Sequence, residues 1–213
     1  MTASQDNQSA TTADSPHQQE SAPTSAGNPL LDVAYIAVFA ALIIALAFVA
    51  IPVGAAGVPI VLQNAAVILA GLILGRTRGF LTALLFLGLG LIGLPVLAGG
   101  KTTLAALGGP TIGYLVGYLV SATVAGSIAY LAPRGNRKAL TIYLALGAIA
   151  ALACQYLCGS VGMMFRADMS FGQALAVNVP FLIPDLIKAA CAVAIASGVH
   201  LSLPDIRRKA FLK

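Results

Sequence analysis

VAYIAVFAALIIALAFVAIPVGAAGVPIVLQNAAVILAGLILG, residues 33–75, contains no Asp, Glu, Lys or Arg. Further charge-free stretches occupy 79–100, 102–133 and 139–165. Each is long enough to cross a bilayer, because a spanning helix takes ~20 apolar residues. With 59% hydrophobic and 9% charged residues, against roughly 25% charged in a soluble domain, an ordinary soluble domain is excluded. The stretches are apolar on every face, whereas a barrel strand alternates over about ten residues, so helices are expected. Helices also satisfy their own backbone hydrogen bonds in lipid. The sequence therefore predicts an all-α integral membrane protein.

Residues 1–28 are rich in Ser, Thr, Ala, Gln and Asn and hold no Lys or Arg, which reads as a disordered tail and not as a secretory signal. His17 lies in it and is assigned no role. A six-helix membrane domain is expected over 29–203, followed by a basic tail over 204–213. Its helices are placed at Leu31 to Ile51, Val58 to Gly75, Phe80 to Leu94, Pro110 to Leu131, Ala139 to Met163 and Pro180 to His200, with Pro52, Gly54 and Gly57 marking the first break. Between them fall a basic loop at Arg76 and Arg78, a glycine-rich connection from Val96 to Gly109, a basic loop from Pro133 to Lys138, and a more polar connection from Phe165 to Val179.

Of the twelve Lys and Arg, nine fall at Arg76, Arg78, Arg134, Arg137, Lys138, Arg207, Arg208, Lys209 and Lys213. Alternate helix ends put these on one side, and the positive-inside bias makes that side cytoplasmic, with both termini. This distribution explains the net charge of +5 without nucleic acid. Lys101, Arg166 and Lys188 are then the outward exceptions. Cys154, Cys158 and Cys191 sit in apolar stretches with no histidine nearby and read as small buried hydrophobes, neither a disulfide framework nor a metal site.

Asp185 and Lys188 stand at i and i+3 in an apolar helix and share a face. A charge at the bilayer centre costs ~2.5 to 3.5 kcal/mol on insertion scales, so they are expected to line a polar interior, as a structural ion pair or as a binding site. Pro180 and Pro184 would loosen the surrounding turns. Gln63 and Asn64 interrupt an apolar helix near its outer end, and either bond helix to helix or face a ligand. Tyr114 and Tyr118 lie one turn apart, as membrane anchors or site residues. Gly99-Gly100-Lys101-Thr102-Thr103 imitates the end of a phosphate-binding loop, but Pro95 stands where its first glycine belongs and a membrane helix precedes it, so Lys101 reads instead as an anchor for a small anion. Ala37, Ala41 and Ala45 recur every fourth residue and leave a flat face for another helix, in this chain or a partner.

Val58 to Asn64 leading to Leu69-Ala70-Gly71, Gly93-Leu94-Pro95-Val96 with Gly99-Gly100, Gly109 to Tyr114, Pro180-Phe181 and Pro184 to Lys188 together resemble the BioY family over most of residues 31–203. Those proteins are biotin-specific substrate-binding subunits of energy-coupling-factor (ECF) transporters. The resemblance implies six helices with an S-component fold, a biotin site near the outer surface of the cell membrane, and partners that are a transmembrane coupling protein and two cytoplasmic ATPases. It implies no cofactor and no enzymatic activity for the chain itself. The site would draw on Gln63, Asn64, Lys101, Tyr114, Asp185 and Lys188, and Ala37, Ala41 and Ala45 match the family's docking motif. Lys101 departs from the small or amide residue usual there, Thr102 and Thr103 replace glycines, and Leu115 stands where some members carry arginine.

Two rival readings remain open from sequence alone. A self-sufficient secondary transporter of another small anion fits the same charges. An intramembrane serine enzyme would need Ser160 or Ser197 beside His200, and no Gly-x-Ser-x-Gly pattern supports it.

Overall fold

A computed structural model describes residues 29–51, 60–203 and 206. The expected tail at 1–28, the turn at Pro52, Gly54 and Gly57, and the tail at 204–213 apart from Ile206 lie outside the described residues. The order of elements is α1 (Pro29–Ala47), β1 (Ala50–Ile51), β2 (Ile60–Val61), α2 (Gln63–Leu74), α3 (Arg76–Leu91), α4 (Thr103–Leu107), α5 (Ile112–Ala129), α6 (Arg137–Ala167), α7 (Phe171–Ala176) and α8 (Val179–Ser202).

Helices α1, α5, α6 and α8 are long and apolar enough to cross a membrane. Large apolar side chains on their outer faces are exposed, among them Val38, Val116, Ile149 and Ile183, as is Leu84 on α3. Asp32, Gln63, Arg78, Gln155 and Asp185 are buried. An exterior more apolar than parts of the interior is the arrangement that lipid, not water, stabilises.

The centre of the bundle is α2, which packs on α1, α3, α5, α6 and α8. It has 12 residues, about 18 Å at 1.5 Å per residue. The expected helix from Val58 to Gly75 is therefore too long, because Ile60 and Val61 are drawn into an antiparallel pairing with Ile51 and Ala50. The first helix likewise ends at Ala47 and not at Ile51. At 31 residues, about 46 Å, α6 exceeds the ~30 Å hydrocarbon core and absorbs the start of the expected polar connection.

The expected basic loop at Arg76 and Arg78 is corrected: both residues belong to the first turn of α3. Gly75 alone joins α2 to α3, at φ 85°, a left-handed conformation that a side chain disfavours. A Cβ on Gly126 of α5 would collide with the Gly75 backbone, so α5 seals this corner. Arg78 is almost fully buried and paired with Asp32 at 3.3 Å. Cys191 is exposed and Cys154 and Cys158 are half-buried, which corrects their expected burial.

Helices α5 and α6 meet through small residues. A Cβ on Gly113 would strike the Cys158 carbonyl, and one on Gly162 would strike the Gly113 backbone. This close approach brings the first turns of α5 against the last turns of α6.

Candidate functional site

At one end of the bundle α2 begins, α6 finishes and α8 begins. Lys188 Nζ lies 2.5 Å from Asp185 Oδ1 and donates to the Asn64 side-chain oxygen and the Val61 carbonyl, each at 2.8 Å. An ammonium has three protons, and these three acceptors use them all. Tyr156 donates to the other Asp185 oxygen at 2.7 Å. Both charges are thus matched in an apolar setting, where an unmatched one would be strongly destabilising.

Asn64 is the junction of this cluster. Its backbone carbonyl accepts from Gln155 Nε2 at 3.3 Å, and Gln155 also donates to Ser121 of α5 at 3.0 Å. The neighbouring Gln63 is buried and donates to the Val96 carbonyl at 2.7 Å, fixing the glycine-rich connection to the head of α2. That connection turns at Gly99 and Gly100, both at positive φ, and returns so that Leu97 donates to the Lys101 carbonyl at 2.9 Å. Lys101 is exposed. Thr102 caps α4 through the Ala105 N–H at 3.0 Å, a helix-capping role and not that of a phosphate loop.

A second network holds Tyr114. Its hydroxyl donates to Asn178 Oδ1 at 2.5 Å, and Asn178 donates to Ser160 Oγ at 3.0 Å and the Ala174 carbonyl at 3.2 Å. Asn178 precedes α8 but makes no side-chain cap there, because its amide is committed sideways to α5, α6 and α7. The Tyr114 ring crosses Gly159, where a Cβ would meet ring atoms. Tyr118 packs on Phe86 with ring centroids 5.9 Å apart. These two tyrosines therefore face protein and not a lipid interface.

Asp185, Lys188 and Asn64 are brought into direct contact, with Gln63 beside them on α2. Tyr114 belongs to the adjoining network, and Lys101 stands in the connection that Gln63 anchors. Sequence reasoning did not assign Tyr156, Gln155 or Ser121, left Asn178 in a connection, and considered Ser160 only as a nucleophile. A lone Gln in an apolar helix was the available signal for Gln155, by the same logic that singled out Gln63. Ser160 donates to the Ala174 carbonyl at 3.3 Å, His200 Nε2 lies 2.9 Å from the Leu72 carbonyl, and neither Ser160 nor Ser197 is hydrogen-bonded to His200. Among the described residues no cluster of three or more His, Cys, Asp or Glu could hold a metal.

A family model described as the BioY family matches residues 17–205. A biotin transporter BioY of Rhodobacter capsulatus is 42% identical over 168 residues, covering 74% of this chain and 86% of that protein. Another, from Rhizobium etli, is 34% identical over 187 residues, covering 84% and 98%. The crystal structure of the S-component for biotin from an ECF-type ABC transporter matches with a TM-score of 0.70 and 31% identity, over 80% of this chain and 91% of that one. The motifs around Asn64, Tyr114 and Asp185 thus lie within the span of the family match, in a fold shared over most of the chain, and the chain belongs to the BioY family.

Proposed function

We propose that this chain is the biotin-binding subunit of an ECF-type uptake transporter in the cell membrane. The observation that carries the reading is the cluster of buried Asp185 with half-buried Lys188, Asn64 and Tyr156 at one end of a BioY-family bundle. Biotin presents two ureido N–H donors, one ureido carbonyl, an apolar bicycle and a carboxylate on a flexible chain. Asp185 suits the N–H donors, while Asn64, Gln63 and Tyr114 suit the polar edges. The Lys188 ammonium is saturated by three acceptors, so the carboxylate falls more naturally to exposed Lys101. A charge-assisted bond there compensates an anion leaving water. The chain needs no cofactor and no catalytic group in this reading.

The same proposal has α1, α2, α3, α5, α6 and α8 crossing the membrane, with both termini cytoplasmic. Arg78, Arg134, Arg137 and Lys138 support it by sharing the end opposite the site: Tyr130, which closes α5, reaches Arg78. Ala37, Ala41 and Ala45 are all exposed, which leaves them free to dock on a transmembrane coupling protein driven by two ATPases. Ala41→Trp should abolish co-purification with that protein and uptake while sparing biotin binding. Intact co-purification sinks the docking face.

The site is tested with purified protein. Mass spectrometry should find biotin as the co-purified ligand, and a different small anion would favour the secondary-transporter reading. Asp185→Asn and Lys188→Ala should each weaken biotin binding by roughly 2 to 5 kcal/mol, about thirty- to several-thousand-fold, because each removes one partner of a hydrogen-bonded charge pair largely withdrawn from solvent. Wild-type binding in both would reduce the cluster to a structural pair.

A further inference from the structure

Helix α1 carries two polar side chains, Asp32 and Tyr35, in a sequence otherwise made of Pro, Leu, Ile, Val, Ala and Phe. In lipid such a helix gains no hydrophobic energy by turning one apolar face inward and not another, since hydrocarbon accommodates Leu and Ile as well as a protein interior does. It packs chiefly on α2 and α3, at the edge of the bundle. Yet it holds one rotational setting. Asp32, Ile36, Ala40, Ile43 and Ala47 face inward. At 3.6 residues per turn, Ala37, Ala41 and Ala45 fall on the opposite side, and all three are exposed.

A directional contact must choose that setting, and both polar residues of α1 converge on Arg78. Asp32 accepts from its Nη1 at 3.3 Å, and the guanidinium carbon lies 5.7 Å from the centre of the Tyr35 ring. Arg78 is itself held from three other directions. It donates to the Leu74 carbonyl at 3.0 Å, to the Ile206 carbonyl at 2.7 Å and to the Tyr130 hydroxyl at 3.4 Å. The guanidinium is therefore fixed to the ends of α2 and α5 and to the segment after α8, and presents α1 with one bonding direction.

We propose that Asp32 and Arg78 set the rotational register of α1 and so decide that its alanine stripe, and not another apolar face, is turned toward a docking partner. They are positioning residues, remote from the Asp185 cluster. The partner half of the inference rests on the docking proposed for Ala37, Ala41 and Ala45, whereas the register half does not.

The chain has no tryptophan, so one introduced at Val38, 63% exposed, reports the rotation of α1 through quenching by brominated acyl chains in proteoliposomes. Asp32→Asn removes the charge. Arg78→Lys is milder, keeping the charge but losing the fork that reaches Leu74, Asp32 and Ile206 together. In both, quenching at position 38 should drop and, measured in chains without the reporter tryptophan, association with the coupling protein should fall about tenfold or more, the order of a lost hot spot, while biotin binding stays within about twofold. Unchanged quenching overturns the register. Loss of biotin binding in step with thermal stability also overturns it, because the pair would then merely hold the bundle together. Reduced quenching with undiminished association supports the register and removes the docking face, which Ala41→Trp checks separately.

Discussion

Tyr156 gives the Asp185 carboxylate its second partner, at 2.7 Å, so it fixes the direction in which the remaining lone pairs point. A hydrogen bond to a charged group contributes about 1.5 to 3 kcal/mol. Tyr156→Phe should accordingly weaken biotin binding by roughly tenfold or more by calorimetry, without unfolding the protein. Unaltered affinity would mean that Lys188 alone orients the carboxylate. Asp185 and Lys188 were legible in the sequence because a charge in an apolar helix is costly wherever it sits. Tyr156 was not, since a tyrosine is tolerated in such a helix with or without a partner, and its partner lies 29 residues away. Asn178 shows the same limit: in the sequence it is one polar residue of a connection, and only the packing of α5, α6 and α7 around it reveals the sideways network.

Among the elements, the tightest joint is between α5 and α6, where Gly113 faces the Cys158 carbonyl and Gly162. Gly113→Val forces side-chain volume between two backbones, an overpacking that costs typically 1 to 3 kcal/mol. It should lower the melting temperature in detergent and, by parting Tyr114 from Asn178, weaken ligand binding as well. A variant with unchanged melting and binding would show that the helices can separate without loss. The long helices were readable because lipid demands length and apolarity together. The start of the central helix was misread for a physical reason: Ile60 and Val61 are as apolar as the helix that follows, and only their pairing with Ile51 and Ala50 takes them out of it. The Arg76 and Arg78 loop was misread because a single glycine makes the whole connection, so the charges fall inside the next helix.

For the molecule as a whole, the described basic residues Arg78, Arg134, Arg137 and Lys138 gather at the end away from Asp185. With the native cysteines replaced, a cysteine at position 134 should resist a membrane-impermeant maleimide added to intact cells, whereas one at exposed Lys101 should react. Labelling of position 134 from outside would invert the topology. Fold class and helix order could be argued from composition and charge spacing, but the meeting of Asn64 with Lys188 could not, since they are 124 residues apart. That separation has a consequence for biogenesis. Chains fold from the N-terminal side as they are made, yet α8 supplies Lys188 to the head of α2 and His200 to its tail, and the segment beyond it supplies the Ile206 carbonyl to Arg78. A nascent bundle that has inserted α1 through α6 still has both of its polar ends open. Completion of the proposed ligand site and closure of the opposite end then fall in a single late step, when α8 joins the bundle.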